Sequence, residues 1–165
     1  MNQEMVDVLN LEGEVVGVAT RQEMRRGRLP HRCVYILVFN KVGEIFIHLR
    51  TATKDVFPSH WDVCAGGVVA AGEDFETGAK REGFEELGIL TAPQFLFPFR
   101  YEDEQTTVFA RVYRCIDDGP FVLQKEEVVR GEFVSLAELV ERIALEKFCP
   151  DGLKVLQEAK NFRLI

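Results

Sequence analysis

Residues 67–89 read GVVAAGEDFETGAKREGFEELGI, and this stretch decides how the rest of the chain is read. A short apolar run with glycine leads into a segment of helical character. Asp74 is a suitable N-cap, Glu76 suits the positive end of a helix, and Gly88 is a natural C-terminal stop. Roughly three to four helical turns fit between those signals. On a regular helix at about 100° per residue, Glu82, Glu85 and Glu86 project within an arc of about 100°. Three anions so placed repel one another and raise each other's pKa unless a cation sits among them, and hard oxygen ligands of this kind suit Mg²⁺ or Mn²⁺. The plainer alternative is a solvated acidic face held by an Arg81–Glu85 pair, worth only ~0.3–0.5 kcal/mol. Gly83 weakens the same helix by ~1 kcal/mol relative to Ala. It shares an edge of the carboxylate arc with Ala79 and Leu87, which predicts a seam where the helix lies close to a sheet.

Working outward, VDVLN (6–10) and VVGVA (15–19), joined by the turn-rich LEGE, predict an opening hairpin. Thr20 is placed to cap a short helix through about Gly27, so residues 1–28 form an N-terminal hairpin and helix. After Pro30, CVYILVF (33–39) is a continuous apolar run, and NKVGE turns it into IFIHL (45–49). Such runs fit strands covered on both faces. Residues 50–60 lack periodicity and read as a loop. WDVCAGGVV (61–69) reads as one strand interrupted at Gly66 and Gly67. FLFPFRY (95–101) and TVFARVYRC (107–115) predict a hairpin, and GEFVS a further strand. Ser135 is expected to cap a helix over LAELVERIALEKF (136–148), and Pro150 to open a last helix ending near Asn161. Strands mixed with three or four helices predict a layered α/β domain with a mixed sheet.

The chain has 165 residues, 47% of them hydrophobic, which suits one domain with a sizeable core. A net charge of -7 disfavours a broad nucleic-acid surface, because duplex binding rests on Lys and Arg meeting phosphates. Cys33, Cys64, Cys115 and Cys149 are scattered without the spacing of a zinc site or a disulfide framework. The N-terminal residues lack a basic segment followed by an apolar run, and no stretch approaches the ~20 apolar residues of a membrane span. A reducing, cytoplasmic setting is therefore expected, with no membrane or nucleic-acid partner. A homodimer is the default expectation for oligomeric state.

Residues 67–89 resemble the Nudix box, the signature of the Nudix hydrolase superfamily, at every charged and glycine position. Gly83 is the departure, since the family usually carries an aliphatic residue or alanine there. The resemblance implies an α/β/α sandwich, a Mg²⁺ or Mn²⁺ cofactor and a small substrate in which a diphosphate is joined to another group. It makes Glu82, Glu85 and Glu86 metal ligands, with the Gly67 carbonyl joining them, Arg81 the residue that orients the glutamates and Glu73 its partner across the turn. Glu85 and Glu86 rank first as general base, and Glu104, Glu126 and Glu127 are candidates from outside the motif.

LPHRCVYILVFN (29–40), RTATKDVFPSHWD (50–62) and FRYEDEQTTVFA (99–110) resemble the branch that includes isopentenyl diphosphate isomerase. In that alignment the isomerase cysteine falls on Gly66, while Glu104 and Tyr101 match its glutamate and tyrosine. His31 matches one of its metal-binding histidines, and Met24 and Gly67 stand at two others. Half of the proton-transfer pair is thus missing and the box keeps its charges, so the expected activity is hydrolysis on an isomerase-like scaffold. Cys64, two residues from the required place on the same strand face, is a possible substitute. Arg50 and Lys54 are the leading phosphate-binding candidates and Arg100 a weaker one. Glu104 is carried as a further substrate-binding candidate. Trp61 and Phe57 can stack on a base, although core packing is the commoner use of large aromatics. The rival readings are isomerisation of isopentenyl diphosphate and a Nudix-fold binding module without turnover.

Overall fold

The computed structural model describes residues 3–165. An antiparallel hairpin of β1 (Met5–Leu9) and β2 (Val15–Thr20) opens the chain. Helix α1 (Arg21–Gly27) follows under a full capping box between Thr20 and Glu23. The centre is β3 (His31–Phe39), whose side chains alternate between two cores. Cys33, Tyr35, Leu37 and Phe39 enter one core, and Val34, Ile36 and Val38 the other. A strand buried on both faces needs an apolar residue at nearly every position, which is why its sequence shows no polar alternation.

Strand β3 pairs in parallel with β8 (Thr107–Ile116), which forms a hairpin with β7 (Gln94–Glu102). Its other edge meets β6 (Ala65–Val68), and at Phe39 it turns into β4 (Ile45–Arg50). Strand β4 carries β5 (Trp61–Asp62) and β9 (Val128–Val134) on either side, giving a mixed seven-stranded sheet. Helix α2 (Phe75–Leu87) covers one face through Ala79 and Leu87. Helices α3 (Leu136–Leu145) and α4 (Pro150–Asn161) cover the other through Leu139, Val155, Leu156 and Ala159. This is the expected α/β/α sandwich.

Two local readings change. Residues 61–69 form two strands, and the break falls at Val63–Cys64 rather than at the glycines. Asp62 Oδ1 accepts the Cys64 amide at 3.0 Å and turns the chain there, whereas Gly66 and Gly67 lie inside β6 opposite Tyr35 and Val34. Helix α3 stops at Leu145 instead of running to Phe148, because the Lys147 carbonyl accepts the Trp61 amide at 2.8 Å and Phe148 bridges to Trp61. Tertiary strand pairing overrides helical periodicity at that end. All four cysteines are buried and free. Among the described residues no helix is long and apolar enough to cross a membrane.

Candidate functional site

Helix α2 is fixed at both ends. Asp74 accepts the Thr77 amide at 2.7 Å, and Gly88 takes a left-handed φ of 71°. Gly83 faces β3, and a Cβ there would lie 3.3 Å from Ile36 Cδ1, so the seam expected from the sequence is present. The helix turns one polar edge toward β6. There Arg81 Nε and Nη2 donate to Glu73 at 2.8 and 3.0 Å, Nη1 donates to Glu82 at 2.8 Å and Glu85 at 3.1 Å, and Nη2 also reaches the Val68 carbonyl at 3.2 Å. Glu73 is pinned further by the Ala70 amide at 2.9 Å. Bonds from Arg81 hold the Glu73 carboxyl below the usual range.

The three helix glutamates have different surroundings. Glu82 is 8% exposed, and burial pushes its carboxyl up to about 7 against the pull of Arg81, with Glu86 and Glu85 adding repulsion. A Cβ on Gly67 would lie 2.7 Å from the Glu82 carboxylate, so only glycine lets the β6 backbone approach that group so closely. Glu86, 3% exposed, lies deeper, with Oε1 3.0 Å from Nε2 of the buried His48. Burial opposes its ionisation, yet His48, Lys54 and Arg50 outweigh burial and hold the carboxyl below its ordinary value. Glu85 is exposed. Among the described residues no three His, Cys, Asp or Glu side chains meet closely enough to form a metal-holding group by themselves. The donors remain hard oxygens gathered on one side of a helix, and Gly67 lies against the Glu82 carboxylate, so the site fits a Mg²⁺-class cation in chemistry.

A cleft continues from this edge. Glu82, Glu85, Gly67 and Lys54 line its outer part, and Lys54 pairs with Glu127 at 2.7 Å. Arg50 lines the inner part, donating to the Val56 carbonyl at 2.9 Å and lying 3.5 Å from Asp62. Phe57 and Cys64 are also on the inner wall, and burial raises the Cys64 thiol well above its usual value. Trp61 is in the core, with the Arg130 and Arg142 guanidiniums over its ring.

Other candidates do not join the cleft. Arg100 donates to the Leu11 carbonyl and stacks on Phe109, on a groove lined also by Arg32 and Phe75. Glu104 is exposed between β7 and β8, and Glu126 is exposed beside Glu127. Tyr101 is buried and donates to Asp103 at 2.8 Å. His31 is buried with Nδ1 2.9 Å from the Leu29 carbonyl, and Met24 is a core residue.

Sequence reasoning missed several cleft residues. Arg21 lines both parts and Arg25 the inner one, and both are tied to Asp55 of the loop at 3.3 and 2.9 Å. Tyr35, Asp62 and Asp151 share the inner end. Tyr35 read as a core residue of an apolar strand, and Asp151 as the opening of a helix. The one available signal was a hydroxyl within that apolar run, since a buried Tyr needs a partner.

Comparison with known proteins agrees with this geometry. The NUDIX domain family matches residues 29–158. The protein named Uncharacterized Nudix hydrolase YfcD of Escherichia coli K12 is 40% identical over 168 residues, covering 96% of this chain and 90% of that one. The Uncharacterized Nudix hydrolase SCO1686 of Streptomyces coelicolor is 40% identical over 163 residues, covering 97% and 90%. The crystal structure of DR0079 from Deinococcus radiodurans superposes with a TM-score of 0.78 at 29% identity, covering 94% of this chain and 98% of that one. With the helix, its glutamates and the sheet in the arrangement described above, the chain belongs to the Nudix hydrolase family.

Proposed function

We propose that the protein is a Mg²⁺- or Mn²⁺-dependent hydrolase that cleaves the diphosphate linkage of a nucleoside diphosphate derivative or similar small molecule. Nudix hydrolases generally act on such compounds with divalent metals. The observation that carries the reading is the cleft bordered by Glu82 and Glu85 of α2, Gly67 and the cations Arg50 and Lys54, with Glu86 buried behind it against His48. Glu82, Glu85, Glu86 and the Gly67 carbonyl would hold the cation. When bound, it neutralises phosphate charge and lowers the pKa of a water.

The chain's own groups divide the remaining work. Arg81 fixes Glu73, Glu82 and Glu85 in one array, and His48 fixes Glu86. Lys54 and Arg50 bind non-bridging phosphate oxygens and orient the chain of two phosphorus atoms across the cleft. Glu85, the exposed member of the three, is the base that takes the proton of the attacking water, because Glu86 is committed to His48. Water adds to one phosphorus, the bridging oxygen leaves with the other, and two phosphate esters or an ester and free phosphate result.

Kinship with the isomerase branch rests on the sequence resemblance of residues 29–40, 50–62 and 99–110, and Cys64 lines the cleft wall as the possible substitute. Double-bond isomerisation is disfavoured, because Gly66 replaces the cysteine and Glu104 is outside the cleft. A binding module without turnover is disfavoured by the intact set of glutamates. The test is a panel of nucleotides, sugar nucleotides, dinucleotides and prenyl diphosphates incubated with Mg²⁺, Mn²⁺ or chelator. Metal-dependent release of phosphate products from at least one compound is expected. Tight binding with no product in either metal would overturn the proposal, and so would double-bond migration that vanishes in Glu104→Gln.

A further inference from the structure

The cleft does not end at the phosphate-binding cations. Its inner part has a volume of about 80 Å³, several times the ~10–15 Å³ that one water needs, so it takes an organic group. Its mixed lining includes a cluster of polar groups, Tyr35, Asp62, Thr106 and Asp151. Tyr35 donates its hydroxyl to Asp151 Oδ2 at 2.9 Å, and Asp151 Oδ1 accepts the Gly152 amide at 2.9 Å. Asp62 accepts from Cys64 and faces Arg50. Each carboxylate keeps lone pairs beyond these bonds, since an ionised carboxylate offers about four acceptor positions. Thr106, only 6% exposed, lines the same cleft, and its Oγ1 has no hydrogen-bond partner among the described residues. A buried hydroxyl left without a partner is costly, and it is the exception in folded proteins that calls for an explanation.

Resting on the diphosphate reading above, we infer that the inner end of the cleft recognises a hydrogen-bond-donating group, a hydroxyl or an amine, on the part of the substrate joined to the diphosphate. Arg21, Arg25, Lys54 and Arg50 also line the inner part, but Arg21 and Arg25 are tied to Asp55, Lys54 to Glu127 and Arg50 to the Val56 carbonyl and Asp62, so the buried Asp151 carboxyl has no ion-pair partner among the described residues. A hydrocarbon chain would leave those acceptors and Thr106 unpaired in a dry pocket, at a cost for each group. Gly66, opposite Tyr35 in register, borders both parts of the cleft, as does Lys54, so a diphosphate held between Lys54 and Arg50 leaves its attached group in the inner part. Burial and the nearby Asp62 lift the Asp151 carboxyl to about 6, so near neutrality this group either accepts or donates.

The test compares three probes of matched length, butyl diphosphate, 4-hydroxybutyl diphosphate and 4-aminobutyl diphosphate, by calorimetry on the Mg²⁺-loaded protein. It requires no turnover. The hydroxyl or the amine probe is expected to bind about tenfold more tightly than the butyl probe, as one or two net hydrogen bonds supply. Whichever of the two gains identifies the donor. Thr106→Val and Asp151→Asn are each expected to narrow that ratio to under about threefold, through weaker binding of the donor probe, tighter binding of the butyl probe, or both. Thr106→Val keeps the shape of the side chain, so it serves if Asp151→Asn fails to fold. Equal or tighter binding of the butyl probe by the parent protein, or an unchanged ratio in the folded variants, would overturn the inference and leave the hydrolase reading standing. Failure of all three probes to bind would also overturn the inference, while the hydrolase reading stands or falls on the wider diphosphate panel.

Discussion

The two ends of the cleft both hold a carboxyl that burial has lifted, Glu82 to about 7 and Asp151 to about 6, yet their neighbours differ. Around Glu82 stand two more glutamates and one guanidinium, Arg81, which is shared among three carboxylates. Around Asp151 stand a phenol, a second carboxyl and a backbone amide. The first setting is a surplus of negative charge, which a proton on Glu82 or a bound metal cation relieves. The second is a surplus of hydrogen-bond acceptors, which a neutral hydroxyl or an amine relieves. One cleft therefore separates chemistry from recognition by the company its carboxyls keep.

The sharpest way to break this comparison is at the junction. Gly66 has φ of 138°, and a Cβ there would run into the Val34 carbonyl. Gly66→Ala is expected to cost more than ~3 kcal/mol in urea unfolding, because strain and lost β3–β6 pairing add. A loss under ~1 kcal/mol would mean that the two ends are not joined through that backbone. Arg81→Ala tests the outer end. It leaves Glu73, Glu82 and Glu85 without their shared cation, and a loss of about 2–3 kcal/mol is expected after allowing for the partial exposure of Arg81. That loss should shrink when Mg²⁺ is added. A stability unchanged by the substitution would show that the array is a solvated acidic face.

Asp151→Asn tests the inner end through pH. The folded pKa lies above the unfolded value of about 3.8, so the folded state holds the proton more tightly. Its contribution is fully present below that unfolded value and is lost as pH rises through about 6. Relative to Asp151→Asn, the parent protein is expected to lose on the order of 2 kcal/mol between about pH 4 and 6 and little more above that range. Parallel curves for the two proteins would remove the buried-acid account. The smallest effect belongs to Gly83. Alanine gains ~1 kcal/mol of helix propensity, but its Cβ would press on Ile36 Cδ1, so no rise in melting temperature is expected for Gly83→Ala. A higher Tm with activity retained would show that close approach is not why glycine stands there.

The two ends also differ in how far they could be read in the sequence. Helix α2, its caps, its glutamates and the Gly83 seam fall within residues 67–89, where helical spacing brings them together, and the Arg81–Glu73 pair is implied by the family resemblance of that stretch. Cap and turn signals likewise located α1, α4 and both hairpins, because these are local contests between backbone and side chain. Tyr35, Asp62, Thr106 and Asp151 come from four separate segments that only the sheet topology brings together, and no spacing rule joins them. His48 escaped notice for the same reason: its partner Glu86 is on another layer. Arg100 misled in the opposite sense, as a cation close in sequence to matched residues whose strand turns it onto a different groove. The end of α3 was misjudged where Phe148 bridges to Trp61, a pairing invisible to periodicity.

Metal-dependent hydrolysis is the work proposed for the α2 end of the cleft. It is tested most directly by the rate of product release from the diphosphate panel at saturating Mg²⁺, for the parent protein and for Glu86→Gln with its fold verified by thermal melting. A fall on the order of 10²–10³-fold is expected in the variant, the scale for removing one preorganised charged group from a reaction centre. Equal rates in the two proteins would contradict it.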